Sequence, residues 1–232
     1  MDDSRLNLVL LGCGRATATH GRTLGRFREQ VRCFFASRDR DRAMAYERRF
    51  RGAGSFGSYE AALADGSMDV VLVCTPPASH LELTLAALES GKHVIVEKPA
   101  FPRARDFDVV RMAARASGKR VLVAENYAYK PLAVALRGLL AAGVVGDVRF
   151  VRVSAVKHQR CADWRDDAAQ AGGGALFEGG VHWLDLLAHI GPKVRSIRAF
   201  RPGGARSTVE RGMLVVLEYE DQSVGTRAVS RF

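Results

Sequence analysis

The sequence predicts an α/β protein: an N-terminal doubly wound parallel sheet of the Rossmann type, then an α+β domain with a mostly antiparallel or mixed sheet. Three observations carry this. Short β-branched runs alternate with amphipathic stretches over the first 125 residues, the pattern of βαβ units whose sheet is covered on both faces. A glycine-rich turn separates the first such run from the first helical stretch. After Glu125 the rhythm changes to helices followed by three neighbouring strand-like runs, as in α+β domains.

In chain order, Leu6–Leu11, Val31–Ala36, Met68–Cys74, Val94–Val96 and Val121–Ala124 read as strands. Helices are expected over Ala16–Gln30, Arg40–Phe50, Ser79–Glu89 and Ala104–Ala116. In the third of these, Leu81, Leu85 and Leu88 share one apolar face. A helix over Pro131–Ala142 leads through Gly143 and Gly146 into the alternating run Val148–Val156. Gly172-Gly173-Gly174 opens a helix reaching about His189, which Gly191-Pro192 stops. Val194–Phe200, Gly212–Glu220 and Val224–Ser230 complete the chain as strands joined by turn residues such as Asp221-Gln222. The change of rhythm sets the expected domains at 1–125 and 126–232.

Composition narrows the class. Hydrophobic residues make 47% and charged residues 26% of the chain, the balance of an ordinary globular protein. No run of about 18 apolar residues could span a bilayer. The acidic start Met1-Asp2-Asp3 lacks the basic and apolar regions of a secretory signal, so a cytoplasmic location is expected. Cys13, Cys33, Cys74 and Cys161 are scattered without a C-x-x-C pair, which argues against a disulfide framework or a metal site. The net charge is +10, and 29 of the 35 basic residues are arginine. They are spread along helices that also carry acids and form no basic arm, so arginine-rich codon usage explains them better than nucleic-acid binding.

The turn Gly12-Cys13-Gly14-Arg15-Ala16-Thr17 follows the first strand. Gly12 would permit the tight turn, and Gly14 would let the backbone approach a pyrophosphate at the helix N-terminus, beside Arg15 and Ala16. Thr17 stands where a third glycine or alanine is expected. The second strand ends in Ala36-Ser37-Arg38-Asp39. An acid there would bind the ribose 2′-OH of NAD, whereas Ser37-Arg38 favours the 2′-phosphate of NADP, with NAD as the alternative. Asp39 sits late for a ribose ligand and could instead cap the next helix.

Two further strands end in Thr75-Pro76-Pro77-Ala78-Ser79-His80 and Glu97-Lys98-Pro99, at the carboxyl ends where open sheets bind ligands. Glu125-Asn126-Tyr127 and Trp164-Arg165 follow, then Gly172-Gly173-Gly174-Ala175-Leu176-Phe177-Glu178-Gly179-Gly180-Val181-His182. In this order the five segments resemble the glucose–fructose oxidoreductase / inositol dehydrogenase family (Gfo/Idh/MocA). The resemblance covers essentially the whole chain. It implies a nicotinamide-dependent oxidoreductase in which Lys98 is the active-site lysine, followed by a cis-proline at Pro99, and His182 is the active-site histidine. By the same resemblance Glu97 bonds the nicotinamide-side ribose, and Thr75, Pro76 and His80 line the cofactor cleft. Asn126, Trp164 and Arg165 are assigned to the cofactor's surroundings, and Tyr127 to the substrate's, there as a packing residue. Glu178 replaces the aspartate of many members, which lengthens the arm by a methylene.

Glu178 and His182 are four residues apart and would share one helical face, with Asp185 a turn further. Lys98 is expected to meet that face as the acid/base, while His182 could polarise the same oxygen or act as the acid/base itself, with Glu178 orienting it. His20, His93, His158 and His189 carry no motif and read as structural. The expected activity is hydride transfer at a hydroxyl/carbonyl carbon of a sugar, cyclitol or similar small molecule. A non-catalytic cofactor-binding sensor is the alternative. Relative to the family the chain reads as short at its C-terminus, either as a fragment or as a compact variant; the latter is favoured, with a homodimer or larger homo-oligomer covering the remaining sheet edge.

Overall fold

The computed structural model describes residues 4–157, 164–202 and 209–231. The chain divides into two compact units, Met1–Ala124 and Glu125–Phe232. His158 and Cys161 lie outside the described residues. No helix among the described residues is long and apolar enough to cross a membrane.

The first unit is a six-stranded, wholly parallel sheet. Its strands are β1 (Leu6–Leu11), β2 (Val31–Ala36), β3 (Gly54–Phe56), β4 (Val70–Val73), β5 (His93–Val96) and β6 (Val121–Val123), in the spatial order β3-β2-β1-β4-β5-β6. The helices are α1 (Arg15–Leu24), α2 (Arg40–Phe50), α3 (Tyr59–Ala64), α4 (His80–Glu89) and α5 (Ala104–Ser117). The order reverses between β1 and β4, which opens a crevice at their carboxyl ends. Both faces are buried, and the two-residue period divides them. Val9, Leu11, Val71, Val73, Val94 and Val96 pack with Ala87, Leu88 and Val110 of α4 and α5. Leu8, Leu10, Phe35 and Leu72 pack against Tyr46 and Phe50 of α2.

Several boundaries differ from expectation for identifiable reasons. Helix α1 stops at Leu24, not Gln30, because Gly25 closes it and tight turns through Phe27 and Gln30 carry the chain into β2. The short edge strand β3 and helix α3 were not expected from the sequence. α3 is started by Ser58, whose hydroxyl accepts from the Ala61 amide at 3.0 Å. In α4 the most buried stripe is His80, Leu83, Thr84, Ala87 and Leu88. Leu81 and Leu85 flank it, partly buried.

The second unit holds β7 (Phe150–Lys157), β8 (Val194–Phe200), β9 (Gly212–Tyr219) and β10 (Val224–Arg231) in the order β7-β10-β9-β8. The β10–β9 and β9–β8 ladders are antiparallel and β10–β7 is parallel, so the sheet is mixed. Val151, Val153, Val215, Leu217 and Tyr219 cover one face and meet Leu187 and Leu184. The helices are α6 (Pro131–Ala141), a short α7 (Ala168–Ala171) and α8 (Val181–Ala188). The helix expected to open at the glycine triplet begins with a π turn, Leu176–Gly180, which runs into α8. Gly174 is required at its start, because a Cβ there would lie 2.0 Å from the Glu210 carbonyl oxygen. Glu210 accepts the Ala175 amide at that carbonyl and the Leu176 amide at its carboxylate.

Candidate functional site

In the first unit the candidate residues gather at the carboxyl ends of β1, β2, β4 and β5. Gly12 has φ +94°, and a Cβ on it would sit 3.2 Å from the Cys74 carbonyl oxygen, so glycine is demanded by both backbone and space. Gly14 is different. Its φ of −115° suits any residue, yet a Cβ there would meet nothing within 4 Å. The space beside Gly14 opens at the start of α1, which has no side-chain cap and no acid in its first turn. Amides of Arg15, Ala16 and Thr17 begin that helix, a setting that suits a pyrophosphate. Thr17 is fully buried and its hydroxyl donates to the Gly12 carbonyl. The threonine in place of the third small residue thus closes the turn itself. Tyr46 adds a second brace, donating from its hydroxyl to the Gly14 carbonyl at 3.1 Å.

At the end of β2, Ser37 is buried, and its hydroxyl accepts the Asp39 amide at 3.2 Å. Asp39 caps α2, accepting from the Arg42 amide at 3.1 Å, so the helix-cap alternative for this acid is the one seen. Arg38 is exposed and hydrogen-bonds Tyr59. Burial pushes the Tyr59 phenol up, and the Arg38 and Arg42 guanidiniums pull against that shift. Two cations therefore lie near Tyr59 at this end of the sheet, one more than the sequence singled out. Burial also pushes the Cys13 thiol up to about 11, against a neighbouring Arg42, so it is a neutral packing group.

Thr75 and Pro76 are partly buried after β4, where the Ser79 hydroxyl lies 2.8 Å from Thr75 Oγ1 and 2.9 Å from the Pro76 carbonyl oxygen. His80 does not line an opening as expected. It is 1% exposed, with Nδ1 3.0 and 2.9 Å from the Pro99 and Ala100 carbonyl oxygens and Nε2 2.8 Å from that of Thr75. Its ring is used up in bracing the loops after β4 and β5 against each other. Burial holds its pKa below the usual histidine range, although the three carbonyls favour the cation.

Glu97 and Lys98 follow β5, and the Lys98–Pro99 bond is cis. Glu97 Oε2 accepts the Lys98 amide at 2.9 Å, and Oε1 is 2.7 Å from His20 Nε2. His20, read from the sequence as merely structural, is thus the partner of a candidate site carboxylate. Burial raises the Glu97 pKa, but the His20 hydrogen bond and charge, with the Lys98 amide and ammonium, outweigh it and hold the carboxyl below its usual range.

In the second unit Glu178 and His182 each have a partner that the sequence reading did not pair with them. Glu178 Oε1 is 3.1 Å from Arg165 Nε, and that guanidinium lies over the Trp164 ring at 4.3 Å. His182 Nδ1 is 2.6 Å from Glu125 Oε1. Glu178 lies in the π turn Leu176–Gly180, and His182 lies in the first turn of α8. Tyr127 stacks on His182 with centroids 4.1 Å apart and planes at 8°, and meets Trp183 edge-on at 5.2 Å. Asn126 is exposed. Asp185 sits 3.6 Å from His189.

The parallel sheet in the order β3-β2-β1-β4-β5-β6, with a glycine turn opening on free space at its switch point, is the arrangement of a dinucleotide-binding Rossmann unit. The family described as "Oxidoreductase family, NAD-binding Rossmann fold" matches residues 6–125, and the GFO/IDH/MocA C-terminal domain matches residues 133–232. The chain belongs to the GFO/IDH/MocA family. Among its relatives is the dTDP-3,4-didehydro-2,6-dideoxy-alpha-D-glucose 3-reductase of Streptomyces violaceoruber, 37% identical over 155 residues that cover 66% of this chain and 44% of that protein. Another is the trans-1,2-dihydrobenzene-1,2-diol dehydrogenase of Bos taurus, 32% identical over 79% of this chain and 55% of its own length. Among solved structures, GenD2 from gentamicin A biosynthesis in complex with NAD is 29% identical with a TM-score of 0.89, covering 98% of this chain and 66% of its own. The WlbA dehydrogenase from Chromobacterium violaceum, in complex with NADH and UDP-GlcNAcA, is 25% identical with a TM-score of 0.88, covering 99% of this chain and 68% of its own. The chain thus spans roughly half to two thirds of the length of the family members it matches.

Proposed function

We propose that this chain carries the dinucleotide unit (1–124) and a substrate unit (125–232) of an oxidoreductase acting on a hydroxyl/carbonyl carbon of a sugar-like molecule. The observation that carries the reading is the uncapped start of α1, facing open space beside Gly14 at the β1/β4 switch point, with Lys98 one strand away after β5. A bound nicotinamide would supply the hydride acceptor or donor. Amides of Arg15, Ala16 and Thr17 would hold its pyrophosphate, and Thr75 and Pro76 would lie along the same crevice. Arg38, with Arg42 beside it, would pair with a 2′-phosphate, which favours NADP over NAD.

Each unit offers one group able to carry a proton. Lys98 would give a proton to the carbonyl oxygen as hydride arrives, or take it from the alcohol as hydride leaves. In the second unit, His182 would hydrogen-bond a substrate oxygen or exchange a proton with it. Glu178 would act through Arg165 rather than through the histidine. A sugar substrate is favoured by the relatives, whose names include a dTDP-sugar reductase and a dehydrogenase bound to UDP-GlcNAcA.

The experiment is NAD(P)+ reduction followed at 340 nm across a panel of sugars, cyclitols and nucleotide sugars. Lys98→Ala is expected to lose about 10²- to 10⁴-fold in turnover while its NADPH affinity, read by fluorescence titration, stays within about threefold of the parent. Unaltered turnover in that variant removes Lys98 from the reaction. Arg38→Ala is expected to weaken NADPH about tenfold or more, as loss of a charged hydrogen bond does, and to leave NADH unchanged. Equal effects on both dinucleotides would refute the NADP preference.

A further inference from the structure

We propose that Glu125 is a positioning residue that fixes the tautomer and plane of His182, an inference that rests on reading His182 as a proton carrier. Glu125 Oε1 is 2.6 Å from His182 Nδ1, and the same oxygen accepts the Tyr127 amide at 2.9 Å. Both side chains are largely buried, at 8% exposure for the histidine and 16% for the glutamate. An ionised carboxylate only accepts hydrogen bonds, so Nδ1 must carry the proton. The imidazole then exchanges protons with a substrate through Nε2 alone. When Nε2 takes a proton, Glu125 stabilises the imidazolium that results.

The ring plane is set by a second device from the same segment. Tyr127 covers one face of the imidazole at 4.1 Å, nearly parallel. Lys130 Nζ sits 3.3 Å from the Tyr127 centroid, which places it on the face the histidine does not use. Glu125, Tyr127 and Lys130 therefore form one clamp within six residues, held as a single turn by the Tyr127 amide bond to Glu125 and the Lys130 amide bond to the Tyr127 carbonyl at 3.1 Å. Trp183 closes on the edge of Tyr127, and the Arg227 guanidinium lies 5.6 Å over the Trp183 ring. Two cations thus flank the aromatic group. Glu178, the carboxylate that the spacing would have put on this histidine, is paired with Arg165. Glu125 supplies a counter-charge at the imidazole.

The test compares Glu125→Ala and Glu125→Gln in the full chain labelled with 15N-histidine, with His182→Asn to assign the signal. In the parent, Nδ1 is expected to bear the proton and Nε2 to show the shift of an unprotonated nitrogen. Glu125→Ala is expected to mix the two tautomers. With the sugar turned over fastest in the panel above, it should lower kcat about a hundredfold, in the range of lost acid–base assistance, and leave the dinucleotide KM unchanged. Glu125→Gln keeps an acceptor oxygen for both donors and loses only the charge, so its tautomer should persist while kcat falls about tenfold. If Glu125→Ala does not fold, Glu125→Gln decides alone, and parent-like turnover in it overturns the proposal. An unchanged tautomer in Glu125→Ala also overturns it. If His182→Asn itself turns over like the parent, the reading of His182 as a proton carrier fails, whereas the tautomer result still reports whether Glu125 sets the ring.

Discussion

Gly12 and Gly14 belong to one turn, yet their substitution by alanine should have opposite consequences for folding and for binding. At Gly12 the backbone is at φ +94°, where an alanine costs about 1–3 kcal/mol, and its methyl would lie 3.2 Å from both the Cys74 carbonyl oxygen and Thr75 Cγ2. Gly12→Ala should therefore lower unfolding free energy by about that amount. At Gly14 the backbone is extended and the new methyl meets no protein atom. Folding should be unaffected, or helped by up to about 1 kcal/mol through the stiffer unfolded chain. The same methyl would occupy the space through which a pyrophosphate reaches the first amides of α1. Displacing even one charged hydrogen bond costs about 1.5–3 kcal/mol, so dinucleotide affinity should fall roughly ten- to a hundredfold. Urea unfolding and NADH fluorescence titration separate the two effects. Parent-like NADH affinity in Gly14→Ala, or a loss of stability in it matching that of Gly12→Ala, would refute the assignment of Gly14 to the phosphate site.

His80→Ala should cost about 2–4 kcal/mol in urea unfolding, since it leaves a void and removes the one ring N–H available to the carbonyls of Thr75, Pro99 and Ala100 around it; a loss below about 1 kcal/mol would argue against its bracing role. The lowered Glu97 pKa makes a pH prediction with a definite sign. A carboxyl held below its unfolded value contributes stability that is complete above that ordinary value of 4.5 and is lost as pH falls through the lower folded value. The urea midpoint should drop between pH 6 and pH 3, and drop less in His20→Gln, which removes the main stabilising partner of the carboxylate. An equal drop in both proteins would mean that His20 does not set the Glu97 titration.

The readable part of this molecule is the part governed by local rules. Continuous apolar runs such as Val70–Val73 are buried on both faces, which demands a parallel sheet with helices on each side, and the glycine turn after β1 needs only neighbouring residues to be intelligible. Strand β3 escaped because Gly54-Ser55-Phe56 has one apolar side chain of appreciable size and pairs only with β2, at the edge of the sheet. Helix α3 carried a legible signal in Ser58, a cap before Glu60 and two alanines, but six residues are too few to show a periodic face. Long-range pairs leave no periodic trace at all. Glu125 and His182 are 57 residues apart, and nothing in either segment alone indicates the other.

At Glu178 and His182 the four-residue spacing gave no sign of two further partners, Arg165 for the acid and Glu125 for the histidine. Gly179-Gly180 lies where the π turn Leu176–Gly180 gives way to α8. A Cβ on Gly180 would stand 2.8 Å from Leu176 Cδ1, the end of a flexible side chain that could shift to make room. With that turn in place the two acids take different work. Glu178 holds Arg165 against Trp164, and Glu125, placed by the Tyr127 turn, reaches the histidine. The longer arm of Glu178 relative to the aspartate of many family members therefore bears on how Arg165 is held, and a Glu178→Asp variant should disturb that guanidinium while leaving the His182–Glu125 contact in place.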